Sequence, residues 1–101
     1  MSIEKTSVDD LGTDFQATIM EGASIVDISL ATLLEIEFTS PGGKKFVKTA
    51  SLLTDGLDGG LHYKRLAGDI TKKGTWSYIG IATFSATEKY RSVEPTVFEV
   101  I

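Results

Sequence analysis

The chain has 101 residues, a formal net charge of −4, 42% hydrophobic residues and no cysteine. That length fits one domain spanning residues 1–101, and the apolar fraction suits a folded chain and is too high for a disordered one. Disulfides, thiol nucleophiles and thiolate metal sites are excluded, and one histidine without cysteine rules out a Cys/His zinc centre.

Met1-Ser2-Ile3-Glu4-Lys5 lacks the basic-then-apolar order of a signal peptide, and the uncharged stretch from Ile28 to Leu34 is far too short to span a membrane. The expectation is a chain made and folded in the cytoplasm. Turn signals recur at short intervals: Asp9-Asp10-Leu11-Gly12, Glu21-Gly22, Pro41-Gly42-Gly43, Asp55-Gly56-Leu57-Asp58-Gly59-Gly60, Gly68-Asp69, Lys73-Gly74 and Thr87-Glu88-Lys89. Glycine supplies positive φ and aspartate accepts bonds from nearby amides, so each cluster can reverse the chain.

The runs between the turns alternate as strands do. Phe15, Ala17 and Ile19 share one face, and Leu34, Ile36 and Phe38 form the cleanest period-two set, opposed by Glu35, Glu37 and Thr39. Val26, Leu30, Leu33 and Leu34 recur at helical spacing, which predicts a turn or two of helix before Leu34. Lys44 to Leu53 is long for one strand, and its inward set is expected to switch at a bulge near Lys48. Leu61, Tyr63 and Arg65 make the next stripe. Trp76, Tyr78, Gly80, Ala82 and Phe84 alternate with a partly apolar opposite face, marking a central strand with Trp76 as the anchor between sheets. Phe98 and Val100 close the series. Hairpins without crossover helices point to an all-β, antiparallel sandwich of about seven strands.

No residue set assembles a catalytic site. His62 lies between Leu61 and Tyr63, so it faces outward as a surface strand histidine, and no G-x-S-x-G elbow accompanies it. Glu35 and Glu37 are placed roughly 7 Å apart on the solvated face by strand geometry. Asp55 and Asp58 read as turn residues; calcium is the competing reading, although the twelve-residue EF-hand pattern is missing. Pro41-Gly42-Gly43-Lys44-Lys45 is a hairpin turn without P-loop spacing. The expectation is therefore no enzyme, no cofactor and no metal. Lys44-Lys45, Lys64-Arg65 and Lys72-Lys73 are isolated pairs rather than the basic stripe that a nucleic-acid binder needs.

The turn and strand pieces, in order, resemble the immunoglobulin-like domain of phage tail and baseplate proteins, including the N-terminal part of the upper baseplate protein family. The pieces run from Leu11-Gly12-Thr13-Asp14-Phe15 and Val26-Asp27-Ile28-Ser29 through Ile36-Glu37-Phe38 with Pro41-Gly42-Gly43. They continue through Lys48-Thr49-Ala50, Thr54 to Gly59, Tyr63, Gly68-Asp69, Gly74-Thr75-Trp76 and Ser92 to Phe98-Glu99-Val100. Their joint order, from about residue 8 to 101, carries the likeness. Leu11 departs from it where a polar residue is expected, and Glu94-Pro95-Thr96 interrupts the approach to the last strand, as proline does at an edge or bulge.

The resemblance implies a structural protein of a tailed-phage virion, an adaptor at the tail, baseplate or fibre attachment. Its partners would be other virion proteins and further copies of itself, with no nucleic acid and no membrane. A capsid decoration protein is the alternative in the same class. A carbohydrate- or receptor-binding module is the alternative in another, with Tyr90 as the tyrosine free to stack on a sugar while Tyr63 and Tyr78 face the core. For assembly, the run Ile3 to Val8 or the run Val97 to Ile101 is the expected edge strand able to add to a neighbour's sheet, the alternative for the C-terminal run being that it is tied down within the fold or against a partner.

Overall fold

A computed structural model of the chain describes residues 4–6, 13–66, 68–92 and 95–101, the first of these by backbone alone. Along the described residues the strands are β1 (Glu4–Thr6), β2 (Asp14–Thr18), β3 (Met20–Glu21), β4 (Ser24–Ile25), β5 (Leu33–Thr39) and β6 (Lys45–Thr49). They continue as β7 (Ser51–Leu52), β8 (Gly60–Lys64), β9 (Gly74–Ser85), β10 (Glu88–Arg91) and β11 (Thr96–Val100). The larger sheet has the order β1-β11-β9-β5-β6, with β10 also on β9. The second sheet is β2-β8-β7, and β3 and β4 form a short ribbon.

The alternation read from the sequence places the core between these two sheets. Phe15 and Ile19 around β2, Leu34, Ile36 and Phe38 on β5, Leu61 on β8, Tyr78 and Ala82 on β9, and Phe98 and Val100 on β11 are all buried. Arg65 continues the Leu61–Tyr63 stripe and is 2% exposed. The predicted central strand is β9, whose twelve residues pair with β5 on one side and with β11 and β10 end to end on the other.

Arg91 faces Ile81 and Thr96 faces Tyr78, so the returning strand carries two more residues than β9 across that interval. Pro95 lies in this break, and the interruption splits one returning strand into β10 and β11. Breaks of this kind explain why there are more segments than the expected seven.

Four expectations are corrected. First, the sheets are not wholly antiparallel, because β1 runs parallel to β11 with Glu4 opposite Phe98. Second, the described residues before Leu34 form no helix. Residues 26–32 form a loop held by an Asp27 carboxylate on the Ser29 amide (2.9 Å) and by the Ile28 amide on the Gly56 carbonyl (2.9 Å), and Leu30 of the helical-looking set is exposed.

Third, the inward set does not switch near Lys48. Phe46, Lys48, Ala50 and Leu52 keep one parity while the chain leaves β6 in the larger sheet for β7 in the smaller. The crossing is secured at Ala50, whose amide donates to the Leu34 carbonyl (2.8 Å). Lysine at an inward position mimics a parity switch, but its ammonium reaches Asp69 at 3.2 Å.

Fourth, Trp76 is buried but packs on Phe98 and Phe46 of its own sheet. Phe15 and Tyr63 are rings that join the sheets: Phe15 has centroids 5.1 Å from Phe38, 5.1 Å from Phe98 and 5.4 Å from Tyr78, and Tyr63 lies 6.1 Å from Phe38. The turn predicted at Asp9-Asp10-Leu11-Gly12 lies outside the described residues, as do Ile3, Ser7, Val8 and Glu94.

Candidate interaction surfaces

β5 and β9 run antiparallel along the molecule, so the loops gather at its two ends. At the first end, residues 26–32 lie against residues 53–59. The Ile28 amide donates to Gly56, the Ile19 amide donates to Gly59 (2.8 Å), and Thr32 ties this cluster to β9 through the Thr83 carbonyl (2.8 Å).

Gly56 and Gly59 hold φ values of 87° and 72°, and a Cβ on Gly56 would come within 2.7 Å of the Ser29 backbone. Only glycine permits this approach. Asp55 accepts the Leu57 amide (3.0 Å), while Asp58 accepts the Gly60 amide (2.9 Å) and the Thr54 hydroxyl (2.9 Å). Both carboxylates thus serve the turn. The bonds from Gly60 and Thr54 hold the Asp58 carboxyl below its ordinary range, and those from Ser29 do the same for Asp27. This end stays anionic at neutral pH, and it exposes Ile25, Leu30 and Leu57 among the carboxylates.

The opposite end is built from the β5–β6 turn and the segment between β8 and β9. Pro41, Gly42 and Gly43 form the predicted turn, closed by the Gly43 amide on the Ser40 carbonyl (2.9 Å) and the Ser40 amide on Lys44 (2.9 Å). Beside it opens a concave site of about 370 Å³, walled by Phe46 and Trp76 and lined also by Lys44, Lys48, Asp69 and Lys72. The indole Nε1–H of Trp76 donates to the Lys72 carbonyl (3.0 Å), fixing that wall.

Asp69 organises the margin: it accepts the Tyr63 hydroxyl and the Leu66 amide (2.8 Å) and pairs with Lys48. Burial alone would raise its carboxyl, but Tyr63, the Leu66 amide and Lys48 outweigh that and lower it. Burial pushes the Tyr63 hydroxyl up to about 12, helped by its bond to Asp69 and by the nearby negative charge.

The other singled-out residues do not converge. His62 faces outward from β8, and its Nδ1 sits 2.7 Å from Asp14, which also accepts the Gln16 amide (2.8 Å). Glu35 and Glu37 lie on the outer face of β5, half-buried between β6 and β9. Tyr63 and Tyr78 face the core as expected, and the Tyr78 hydroxyl donates to the Gln16 carbonyl (3.0 Å).

Tyr90 is not the free ring that sugar stacking requires. It lies half-buried in β10, edge-on to Phe84 at 5.8 Å, with its hydroxyl donating to Glu88 (3.1 Å). Nor is Val97 to Ile101 an open edge. β11 is flanked by β9 and by β1, so the described part of the N-terminal run pairs within its own chain.

The lysine-edged cavity is the feature the sequence did not reveal, because Lys44-Lys45 and Lys72-Lys73 each read as a solvated turn. Their only sequence signal is that both follow glycine- or aspartate-bearing reversals on the same side of alternating strands. In comparisons with known proteins, no family model, no curated protein and no solved structure matches the chain.

Proposed function

We propose that this chain is a non-enzymatic structural adaptor of a tailed-phage virion, working at the tail, baseplate or fibre attachment through protein–protein contacts. The observation that carries it is the strand order. With β2, β5, β6, β7, β8, β9 and the interrupted β10–β11 strand taken as B, C, C′, D, E, F and G, the sheets run B-E-D and C′-C-F-G. That order fits an immunoglobulin-like sandwich, with β1 lying along G. It supports the resemblance carried by the ordered turn and strand motifs.

The polar side chains favour the same reading, because many of them hold structure together. Asp27, Asp55 and Asp58 fasten turns, Asp69 fastens the β8–β9 segment, and His62 bonds the neighbouring strand. A stable scaffold with two chemically distinct loop ends suits a connector.

Immunogold labelling of intact particles with antibody against this chain tests the proposal. Label at the tail end is the expected result. Label over the head would reassign the chain to capsid decoration. Absence of label, with epitopes accessible and the chain present in the lysate, would overturn a virion role.

A further inference from the structure

We propose that copies of this chain associate head to tail, the leucine-bearing acidic loops of one copy seated in the lysine-edged cavity of the next. The inference deepens the adaptor role and rests on it, since it names one partner of that assembly.

The first end presents Leu30 at 84% exposure and Leu57 at 62%, on two loops joined by the Ile28–Gly56 bond. Carried on two loops bonded to one another, these side chains give a partner an apolar surface to cover. Asp27, Asp55 and Asp58 lie on the same two loops, and their carboxylates make this end negative at neutral pH.

At the opposite end the cavity of about 370 Å³ offers the complement: the rings of Phe46 and Trp76 for a leucine side chain, and Lys44 and Lys72 among its lining for carboxylates. Lys48 is already paired with Asp69, so Lys44 and Lys72 carry the attraction. Two acidic ends facing one another would repel, and so would two basic ends, which disfavours a two-fold pairing through either. Joining unlike patches gives a heterologous contact, which closes into a ring or continues as a filament. Charge of this kind fixes orientation and register more than affinity, and salt weakens it.

Sedimentation velocity tests the contact, using the intact chain and two variants altered only at exposed positions. Lys44→Glu with Lys72→Glu spoils the basic end, and Leu30→Ser with Leu57→Ser spoils the apolar one. Circular dichroism melts verify that each variant still folds.

Wild-type protein is expected to form concentration-dependent oligomers that shrink at high salt. Each variant alone should associate at least about tenfold more weakly. Mixed together, the variants should form a complex that stops at one copy of each, because only one competent pair of ends remains. Monomeric wild-type protein at low salt, variants that oligomerise unchanged, or a mixture that stays monomeric would each overturn head-to-tail association. Tail label by immunogold with a monomeric wild type would retain the adaptor and discard only this contact, the cavity then belonging to a different virion protein.

Discussion

Replacing Gly80 with alanine probes the closest approach of the two sheets. Gly80 sits in the middle of β9 and faces β2 and β8. A Cβ there would come within 2.9 Å of the Ala17 Cβ, 3.3 Å of Ile19 Cδ1 and 3.4 Å of Leu61 Cδ1. Ile19 and Leu61 can shift a terminal methyl, but the Ala17 Cβ is fixed to its backbone, so relief requires β2 to move away from β9.

Overpacking of this kind costs about 1–3 kcal/mol. The substitution also stiffens the unfolded chain, which offsets about 0.4–1 kcal/mol of that. Taken at the middle of both ranges the expected net loss is about 1.3 kcal/mol, or a Tm lower by about 5–10 °C for a domain of this size.

Urea unfolding followed by the fluorescence of Trp76, the single tryptophan, measures the loss. A double-mutant cycle with Ala17→Gly isolates its cause. Ala17→Gly destabilises on its own, yet it should recover about 1 kcal/mol or more when combined with Gly80→Ala. If Gly80→Ala leaves stability unchanged, or if the two losses simply add, the sheets are not in contact where the geometry places them.

Four further outcomes follow from the loops and the titrating groups. Gly56→Ala should cost more than the ~1 kcal/mol of a left-handed alanine, because its Cβ also strikes the Ser29 backbone; faster amide exchange at Ile28 would report the parted loops. Asp69→Ala should destabilise by about 1–3 kcal/mol by leaving Tyr63, the Leu66 amide and Lys48 without their acceptor, read from the urea midpoint.

The pH dependence has two limbs. Asp69 is depressed in the folded state, so its contribution is present above the unfolded carboxyl value near 4 and is lost as pH falls through the lower folded value. Tyr63 is raised, so its contribution is full below the unfolded value near 10 and is lost as pH rises toward about 12. Absorbance titration should show a tyrosine ionising at about 12, and Tyr63→Phe should remove that step. Finally, calcium or a chelator should leave Tm unchanged because Asp55 and Asp58 are committed to turn amides; a calcium-dependent rise would reinstate the loop as a cation site.

Much of the architecture was legible because strand periodicity is local. Leu34, Ile36 and Phe38 had to share a face whatever they packed against, and the same holds for Phe15 with Ile19 and for Phe98 with Val100. The misread segments are those where a long-range partner overrides the local pattern. Residues 26–32 carry helical spacing, but the Gly56 and Thr83 carbonyls capture their amides from distant parts of the chain. Lys48 looks like a solvent-facing residue until Asp69, twenty-one positions on, supplies its charge partner. Tyr90 looks like a free ring because nothing adjacent shows that Phe84 returns beside it across the β9–β10 turn.

By itself the sequence determined the class of the protein: alternation and turn chemistry make strands and reversals, and the absence of cysteine with a single histidine removes whole families of sites. Tertiary structure alone decided which loops share an end, because that depends on strand order and direction, which pairwise backbone bonding sets between residues far apart in the chain. Once β5 and β9 lie antiparallel, Asp27, Asp55 and Asp58 fall at one pole and Lys44 and Lys72 at the other. A scattered acidic chain thereby becomes a polar object with two unlike ends.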